Sequence, residues 1–494
     1  MKPIVLIHGY SAESQQPDHD SITGIYGDLT RDLRQSYQVI DIDLSRYVSL
    51  NDSVSINDIA RGLNRVLTEQ EPELLQSGFH VIIHSTGALV IRAWIMLFSP
   101  RPSPICNLIY LAGANFGSGW ASIGQGQIAR WGRFVFEHGA QRGVKVLQAL
   151  ELGSGPTIDM HLRFIQPGTR MLEDYQVQEF IIVGTQADPA WFEFPVRYGH
   201  EDGSDGTVRV SGSNLNFNYI KIGPKSESMR LKWVDIQSAV ANANRKSPFP
   251  AYYEWKDNSL PFSDRKEIPF AIPYQCAHTG DKMGIVSGTL TRDQVQSLIR
   301  AALEVPERSI SAWSAMVDVF HKETEKTYNN ARTLQKPGFF NFLADPRNQY
   351  DGHAQVIVRL RDQDANPINI GHSDIFFVSE QHDPDTIPIQ SLIEDSAVSG
   401  VSPNVIAFYL RLSRFEKDVN DWFYQLSKVE NFAFEVTAIE PATPNLSPMV
   451  VYLPLRMPID KELLTRFIQP HRTTIIDVEL LRLPSPDIYQ MIRY

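Results

Sequence analysis

The chain has 494 residues, 43% hydrophobic and 21% charged, with a net charge of -11. That length predicts two or three domains, and the acidic balance excludes a general nucleic-acid binder, which needs a basic footprint. Two cysteines, Cys106 and Cys276, form no disulfide framework and show no metal-ligand spacing.

The first residues read as a short buried strand, Ile4-Val5-Leu6-Ile7, followed by the turn His8-Gly9-Tyr10-Ser11. One lysine and four apolar residues are too short for the core of a signal peptide. The expectation is therefore a cytoplasmic protein, or one exported by a signal-independent route, as a secreted effector would be. Helical spacing covers residues 21–33, and a strand covers 37–42. Residues 55–75 form an amphipathic helix with Ile56, Ile59, Leu63 and Leu67 on one stripe. Residues 79–83 are an apolar strand, Ser85 sits in a sharp turn, and a helix follows over about 88–97. The apolar run 81–98 contains His84, Ser85 and Arg92, so it is not a membrane span. Another strand, 105–111, runs into Ala112-Gly113-Ala114-Asn115-Phe116-Gly117. This alternation predicts an α/β fold with a parallel sheet covered on both faces.

Residues 118–175 contain no strand. They are helical, with Trp120, Trp131, Phe134 and Phe136, and read either as an insertion packed on the core or as a cap or lid over an apolar pocket. Strands at 179–183 and 217–222 resume the sheet, with a loop rich in glycine and acid, 198–206, between them. Residues 223–265 receive no assignment. A last strand at 268–272 leads into Pro273-Tyr274-Gln275-Cys276-Ala277-His278-Thr279-Gly280, and a helix at 291–303, capped by Thr291, closes the domain. The predicted division is an α/β domain over 1–305 with its helical insertion at 118–175, a helical connector over 306–335, and a β-sandwich-like accessory domain over 336–494. The last rests on short strands at 354–360, 374–378, 405–412, 432–438, 449–453 and 474–483, separated by turn formers.

The turn that carries Ser85 lies between an apolar strand and a helix, the arrangement that exposes a serine hydroxyl at the top of a parallel sheet. A serine needs a base to take its proton. The base is usually a histidine held in the right tautomer by a buried carboxylate. In doubly wound hydrolases the chain order is Ser, acid, His. His278, in a loop of small residues after the last strand, is the leading base; His200, His8 and His84 compete. Asp205, in Gly203-Ser204-Asp205-Gly206-Thr207-Val208, is the leading acid; Asp188 is second, and Asp202 and Glu201 are weaker. The oxyanion donors expected are the backbone N–H groups of Thr86, after the nucleophile, and Tyr10, after the first strand.

Together these pieces resemble the α/β-hydrolase superfamily, in its lipase and esterase branch. They are Leu6-Ile7-His8-Gly9-Tyr10, His84-Ser85-Thr86-Gly87-Ala88, Leu111 to Ser118, Ser204-Asp205-Gly206-Thr207-Val208 and Ala277-His278-Thr279-Gly280. The resemblance covers the first ~300 residues, by the motif criteria of that fold. Bacterial triacylglycerol lipases and similar phospholipases carry the acid in a D-G-x-V loop, which maps onto Asp205, and the base in an H-x-G-like loop, which maps onto His278. The resemblance implies hydrolysis of lipid esters through a Ser85-Asp205-His278 triad, transient contact of the lid with a membrane surface, and no organic cofactor. Some members bind a structural calcium, but no ligand set for one is visible. The departure is Ile83, at the position two before the serine where glycine or alanine is usual. A β-branched residue there must be accommodated by the neighbouring strands. Acyl transfer or amide cleavage on the same triad, and a catalytically inactive binding protein, are the alternative readings. Three roles are open for the accessory domain: binding lipid, binding a protein partner, or stabilising the catalytic domain.

Overall fold

The computed structural model describes residues 2–7, 26–42, 53–119, 144–186, 201–243, 252–335, 345–380, 385–441, 449–485 and 488. The chain divides into two units. The first comprises Met1–Asn216, Arg265–Gly352 and Arg414–Trp422; the second comprises Phe217–Asp264, His353–Ser413 and Phe423–Tyr494.

The first unit is built on a parallel sheet of β1 (Ile4–Ile7), β2 (Val39–Ile42), β3 (Phe79–His84), β4 (Ile105–Leu111), β5 (Gln178–Ile182) and β8 (Phe270–Ala271), in the order β2-β1-β3-β4-β5-β8. Every residue of β1, β3, β4 and β5 is buried, as expected of strands covered on both faces. The chain leaves β1 for β2 on one side and returns to β3 on the other. Ligand crevices in open parallel sheets lie at the carboxyl ends of the strands at such a reversal. Here the turn at Ser85 stands at the carboxyl end of β3.

The stripe predicted for 55–75 forms a helix, Ile56–Glu69, opened by a reciprocal Ser55–Asp58 capping box. It stops short of 75 because Pro72 starts a second helix, Pro72–Ser77, at the position where a missing N–H costs nothing. The helix Gly87–Phe98 is buried from Gly87 through Ile95, so it is sandwiched rather than amphipathic.

The predicted connector is corrected by the helix Ile310–Ala331, which belongs to the first unit. It buries Trp313, Phe320, Thr327 and Ala331 on one stripe. The Trp313 indole donates to the Glu179 carbonyl at 2.9 Å, and the Thr327 hydroxyl donates to the Ile272 carbonyl at 2.6 Å. This helix covers the short edge strand β8, which is why the unit extends past residue 305. Thr291 is also not a side-chain cap: its hydroxyl donates to the Gly284 carbonyl at 2.8 Å.

The second unit contains two larger sheets. One holds β11 (Ile393–Val398), β12 (Val405–Glu416), β9 (Gly352–Asp362), β17 (Thr473–Leu480), β6 (Asn218–Pro224) and β7 (Tyr253–Trp255) in that order, with β13 (Asp421–Tyr424) on β12. The other is antiparallel, with β10 (Ser373–Glu380), β14 (Glu430–Ala438) and β16 (Leu455–Pro458). A short pair joins β15 (Val450–Tyr452) to β18 (Arg482–Pro484). Val356, Val358, Ile476 and Val478 from the first sheet share a core with Phe377, Phe434 and Val436 from the second, a sandwich-like arrangement.

Three stretches fall in a different unit from the one expected. Strand β6, placed by sequence in the hydrolase sheet, pairs in parallel with β17 in the second unit, Ile220 opposite Ile476. Its alternation explains the placement: Ile220 and Ile222 enter the sandwich core. Conversely, residues 345–352 and 414–422, placed in the accessory domain, belong to the first unit, where Tyr350 is fully buried.

Candidate active site

Ser85 follows the last residue of β3 and has φ +54°, the left-handed region that costs a non-glycine residue energy. Its backbone is fixed on both sides. The Ser85 N–H donates to the Leu111 carbonyl at 3.1 Å, and the Ser85 carbonyl accepts from Ala88 and Ala114 at 3.2 and 3.3 Å. The helix Gly87–Phe98 starts immediately afterwards, so Ser85 and Thr86 stand at its positive end. Small residues permit this turn: a Cβ on Gly113 would lie 3.1 Å from that of Ala88. Ile83 lies inside the ladder rather than in the turn. It is fully buried, with Ile7 of β1 and Tyr110 of β4 as its lateral partners.

His278 and Asp205 converge on this turn. The His278 Nε2 is 3.1 Å from the Ser85 Oγ, and its Nδ1 is 2.8 Å from the Asp205 Oδ2. The other carboxylate oxygen, Oδ1, accepts the N–H groups of Thr207 and Val208 at 3.0 and 2.7 Å. Asp205 also reaches His278 through the backbone, its carbonyl accepting the His278 N–H at 3.0 Å. Both side chains are buried.

Each loop is braced by its neighbours. Asn115 and Phe116, after β4, bond to the short helix Val210–Ser213 that follows the acid loop, through the Ser213 carbonyl at 2.7 Å and the Gly212 carbonyl at 2.8 Å. The His278 loop is tied to the end of β5, where the Gln186 N–H donates to the Cys276 carbonyl at 2.9 Å. The Tyr350 hydroxyl accepts the Gln275 N–H at 3.2 Å. Burial, with the Asp205 charge second, pushes the Cys276 thiol well above its ordinary pKa, so it stands as an inert thiol beside the site.

The remaining candidates separate clearly. Glu201 is engaged by Arg209, which donates to both carboxylate oxygens at 2.9 and 2.7 Å. Asp202 is half-buried in the same loop. His84 lies in the site: its Nε2 is 3.2 Å from the His278 carbonyl. Tyr10, His8, Asp188 and His200 lie outside the described residues. Among the described residues no group of three or more His, Cys, Asp or Glu stands where it could hold a metal ion.

Of the predicted helical insertion, residues 120–143 lie outside the described residues, and 144–175 are packed on the core. The helix Gly155–Arg163 buries Ile158, Met160, His161 and Leu162. The His161 Nε2 donates to the Asn115 carbonyl at 2.6 Å, and burial, reinforced by the Arg92 charge, holds its pKa well below the usual value. A polar network beneath the Ser85 helix escaped the sequence reading. Arg92 pairs with Glu179 at 2.5 Å, and the Tyr110 hydroxyl donates to the same carboxylate oxygen at 2.7 Å. Burial, with Glu179 second, pushes the Tyr110 pKa well up. The signal available in the sequence was an arginine in an otherwise apolar helix, which requires a buried partner.

A family model described as palmitoyl protein thioesterase matches residues 3–143, from β1 through the Ser85 turn and past β4. Comparison with curated proteins gives no match. Phospholipase PlaB from Legionella pneumophila superposes with a TM-score of 0.75 at 20% sequence identity, over 99% of this chain and 96% of that one. Its structure in complex with thio-NAD gives a TM-score of 0.74 at 20% identity over the same shares. The mature lipase BlEst2 from Bacillus licheniformis matches at 14% identity over 43% of this chain and 79% of that one, with a TM-score of 0.30. At 20% identity the likeness to the phospholipase is one of fold, and it extends through both units. The chain thus has an α/β-hydrolase fold, extended by a β-rich unit.

Proposed function

We propose that the protein is a serine carboxylic-ester hydrolase acting on lipid esters, with Ser85 as nucleophile, His278 as general base and acid, and Asp205 as the orienting carboxylate. The reading is carried by one observation, the continuous hydrogen-bonded chain from the Ser85 hydroxyl through His278 to the buried Asp205. In the first half-reaction the Ser85 Oγ attacks the acyl carbonyl while the His278 Nε2 takes its proton. The tetrahedral oxyanion is held by the N–H groups of Thr86 and Tyr10, each worth roughly 3–4 kcal/mol in such sites. His278 returns the proton to the leaving alcohol, and an acyl-Ser85 ester remains. In the second half-reaction His278 takes a proton from water, the hydroxide attacks the acyl carbon, and Ser85 leaves with the proton restored. Asp205 accepts the Nδ1–H throughout and stabilises the imidazolium without becoming protonated.

The full-length likeness to a phospholipase supports a phospholipid ester as substrate. The palmitoyl protein thioesterase model, which covers the Ser85 turn, favours a second reading: an acyl thioester attacked by the same chemistry. The test is a fluorophosphonate probe followed by a substrate panel of phospholipid, triacylglycerol, short p-nitrophenyl esters and a palmitoyl thioester. Labelling and turnover abolished in Ser85→Ala are expected, with a loss of about four to six orders of magnitude in kcat. A folded wild type that neither labels nor turns over any of the four sinks the assignment. Preference for the thioester by kcat/KM would replace the ester reading with the second.

A further inference from the structure

His84 ends β3, pairs laterally with Leu111 of β4 and is buried. Its imidazole lies against that of His278, with ring centroids 4.7 Å apart and planes inclined at 40°. The His84 Nε2 stands 3.2 Å from the main-chain carbonyl oxygen of His278. A carbonyl oxygen only accepts, so this bond places the His84 proton on Nε2 and makes His84 the donor.

The contact completes a set of four bonds around His278. On one side Asp205 takes both the main-chain N–H, at 3.0 Å, and the Nδ1–H, at 2.8 Å. On the other side the nucleophile's strand supplies the remaining two: His84 donates to the His278 carbonyl, and the Ser85 Oγ meets its Nε2 at 3.1 Å. His84 and Ser85 are neighbours on the end of one central strand, so these two bonds share a single rigid support. The peptide of His278 is thereby held relative to the serine it faces. The residue before His278 is held by its own loop, since the Ala277 N–H donates to the Met283 carbonyl and the Ala277 carbonyl accepts the Ile285 N–H, both at 2.8 Å, whereas the His278 carbonyl is met by His84. Removing the carbonyl bond frees the peptide that follows His278 from the nucleophile's strand, and a turn of that peptide shifts the imidazole relative to Ser85. A misplacement of about 1 Å at such a centre costs roughly a hundredfold in rate.

We propose that His84 is a positioning residue for the reaction, its Nε2–H clamping the main chain of His278 so that the imidazole faces Ser85. This rests on the reading of Ser85 and His278 as nucleophile and base. It does not make His84 a catalytic residue, since His84 acts through His278.

The test uses two variants of the full chain. His84→Gln places an amide N–H where Nε2 stands; His84→Phe keeps an aromatic ring against His278 and removes the donor. Kinetics on a soluble p-nitrophenyl ester, the rate of fluorophosphonate labelling and the thermal midpoint are measured for both. His84→Phe is expected to lose about 10- to 100-fold in kcat with KM unchanged, and its labelling rate should fall by the same factor. His84→Gln is expected to recover kcat to within about threefold of wild type, because it restores the hydrogen bond. Three results each overturn the clamp alone while wild type labels normally: full activity in His84→Phe, equal losses in the Gln and Phe variants, or a loss confined to KM. A wild type that neither labels nor turns over overturns the assignment of Ser85 and His278, and the clamp with it.

Discussion

Replacing Asp205 by Asn changes one proton. The Asp205 Oδ1 accepts two turn N–H groups, from Thr207 and Val208, so in the variant the amide oxygen must occupy that position. The amide nitrogen then takes the place of Oδ2, 2.8 Å from the His278 Nδ1. An NH2 group only donates, so Nδ1 must accept, and the imidazole proton moves to Nε2. There it points at the Ser85 Oγ, 3.1 Å away, and His278 can no longer take the serine proton. The geometry is preserved while the tautomer is wrong. Such a change lowers kcat about 10⁴-fold, or roughly 5 kcal/mol of transition-state stabilisation. The turn bonds survive, so the thermal midpoint should fall by only about 2–4 °C. The assay is kcat on a soluble p-nitrophenyl ester beside a melting curve, with Asp188→Asn as comparison. Asp205→Asn retaining more than about a tenth of wild-type kcat would refute the tautomer argument. Asp188→Asn is expected to be nearly silent; if it is the damaging change, the assignment of Asp205 as the acid is wrong.

Ile83→Gly restores the usual elbow residue but empties a fully buried position between Ile7 and Tyr110. It should destabilise by about 3–5 kcal/mol in urea titration, and a variant as stable as wild type with higher kcat would show that the elbow prefers glycine after all. Arg92→Met strands Glu179 in the core and should cost about 3–5 kcal/mol, while adding Glu179→Gln should recover at least half of the loss; no recovery in the double variant would mean that the ion pair is not the cause. Burial pushes the His80 pKa down to about 4, Glu307 partly opposing it. The unfolded chain binds this proton from about pH 6.5, so the stabilisation is complete above that pH and is lost as pH falls towards 4, amounting to about 3 kcal/mol. Denaturant melts of His80→Leu at pH 4.5 and 7.5 should show a smaller acid loss than wild type; an equal loss would assign the acid sensitivity elsewhere.

What is legible in the sequence follows how local each constraint is. The strand–turn–helix around Ser85 is written in adjacent residues, so the stretch from Phe79 to Phe98 can be read without knowing what surrounds it. Asp205 and His278 are legible through chain order and through the small residues beside them. β6 shows the limit. The alternation Tyr219-Ile220-Lys221-Ile222 declares a strand but does not say which sheet it joins, and its parallel partner β17 lies near the far end of the chain. The helix Ile310–Ala331 is different, because its signal is present. Trp313, Phe320 and Thr327 recur at one heptad spacing on the stripe that is buried, and an exposed connector has no use for such a stripe.

The same distinction separates the residues proposed to react from those that hold them. A nucleophile, a base and an acid must be of particular chemical types, so a sequence can nominate them. The groups that aim them need only a donor or an acceptor at the right point. Tyr350 supports the His278 loop with a hydroxyl, and Gln186 does so with a backbone N–H. His84 bonds to a carbonyl 194 residues away. A histidine beside Ser85 is first read as a rival for the role of base, because imidazole chemistry suggests proton transfer. Its bond to a main-chain oxygen argues instead that its value lies in a fixed N–H, which is why glutamine, chemically unlike histidine as a base, is the substitution expected to replace it.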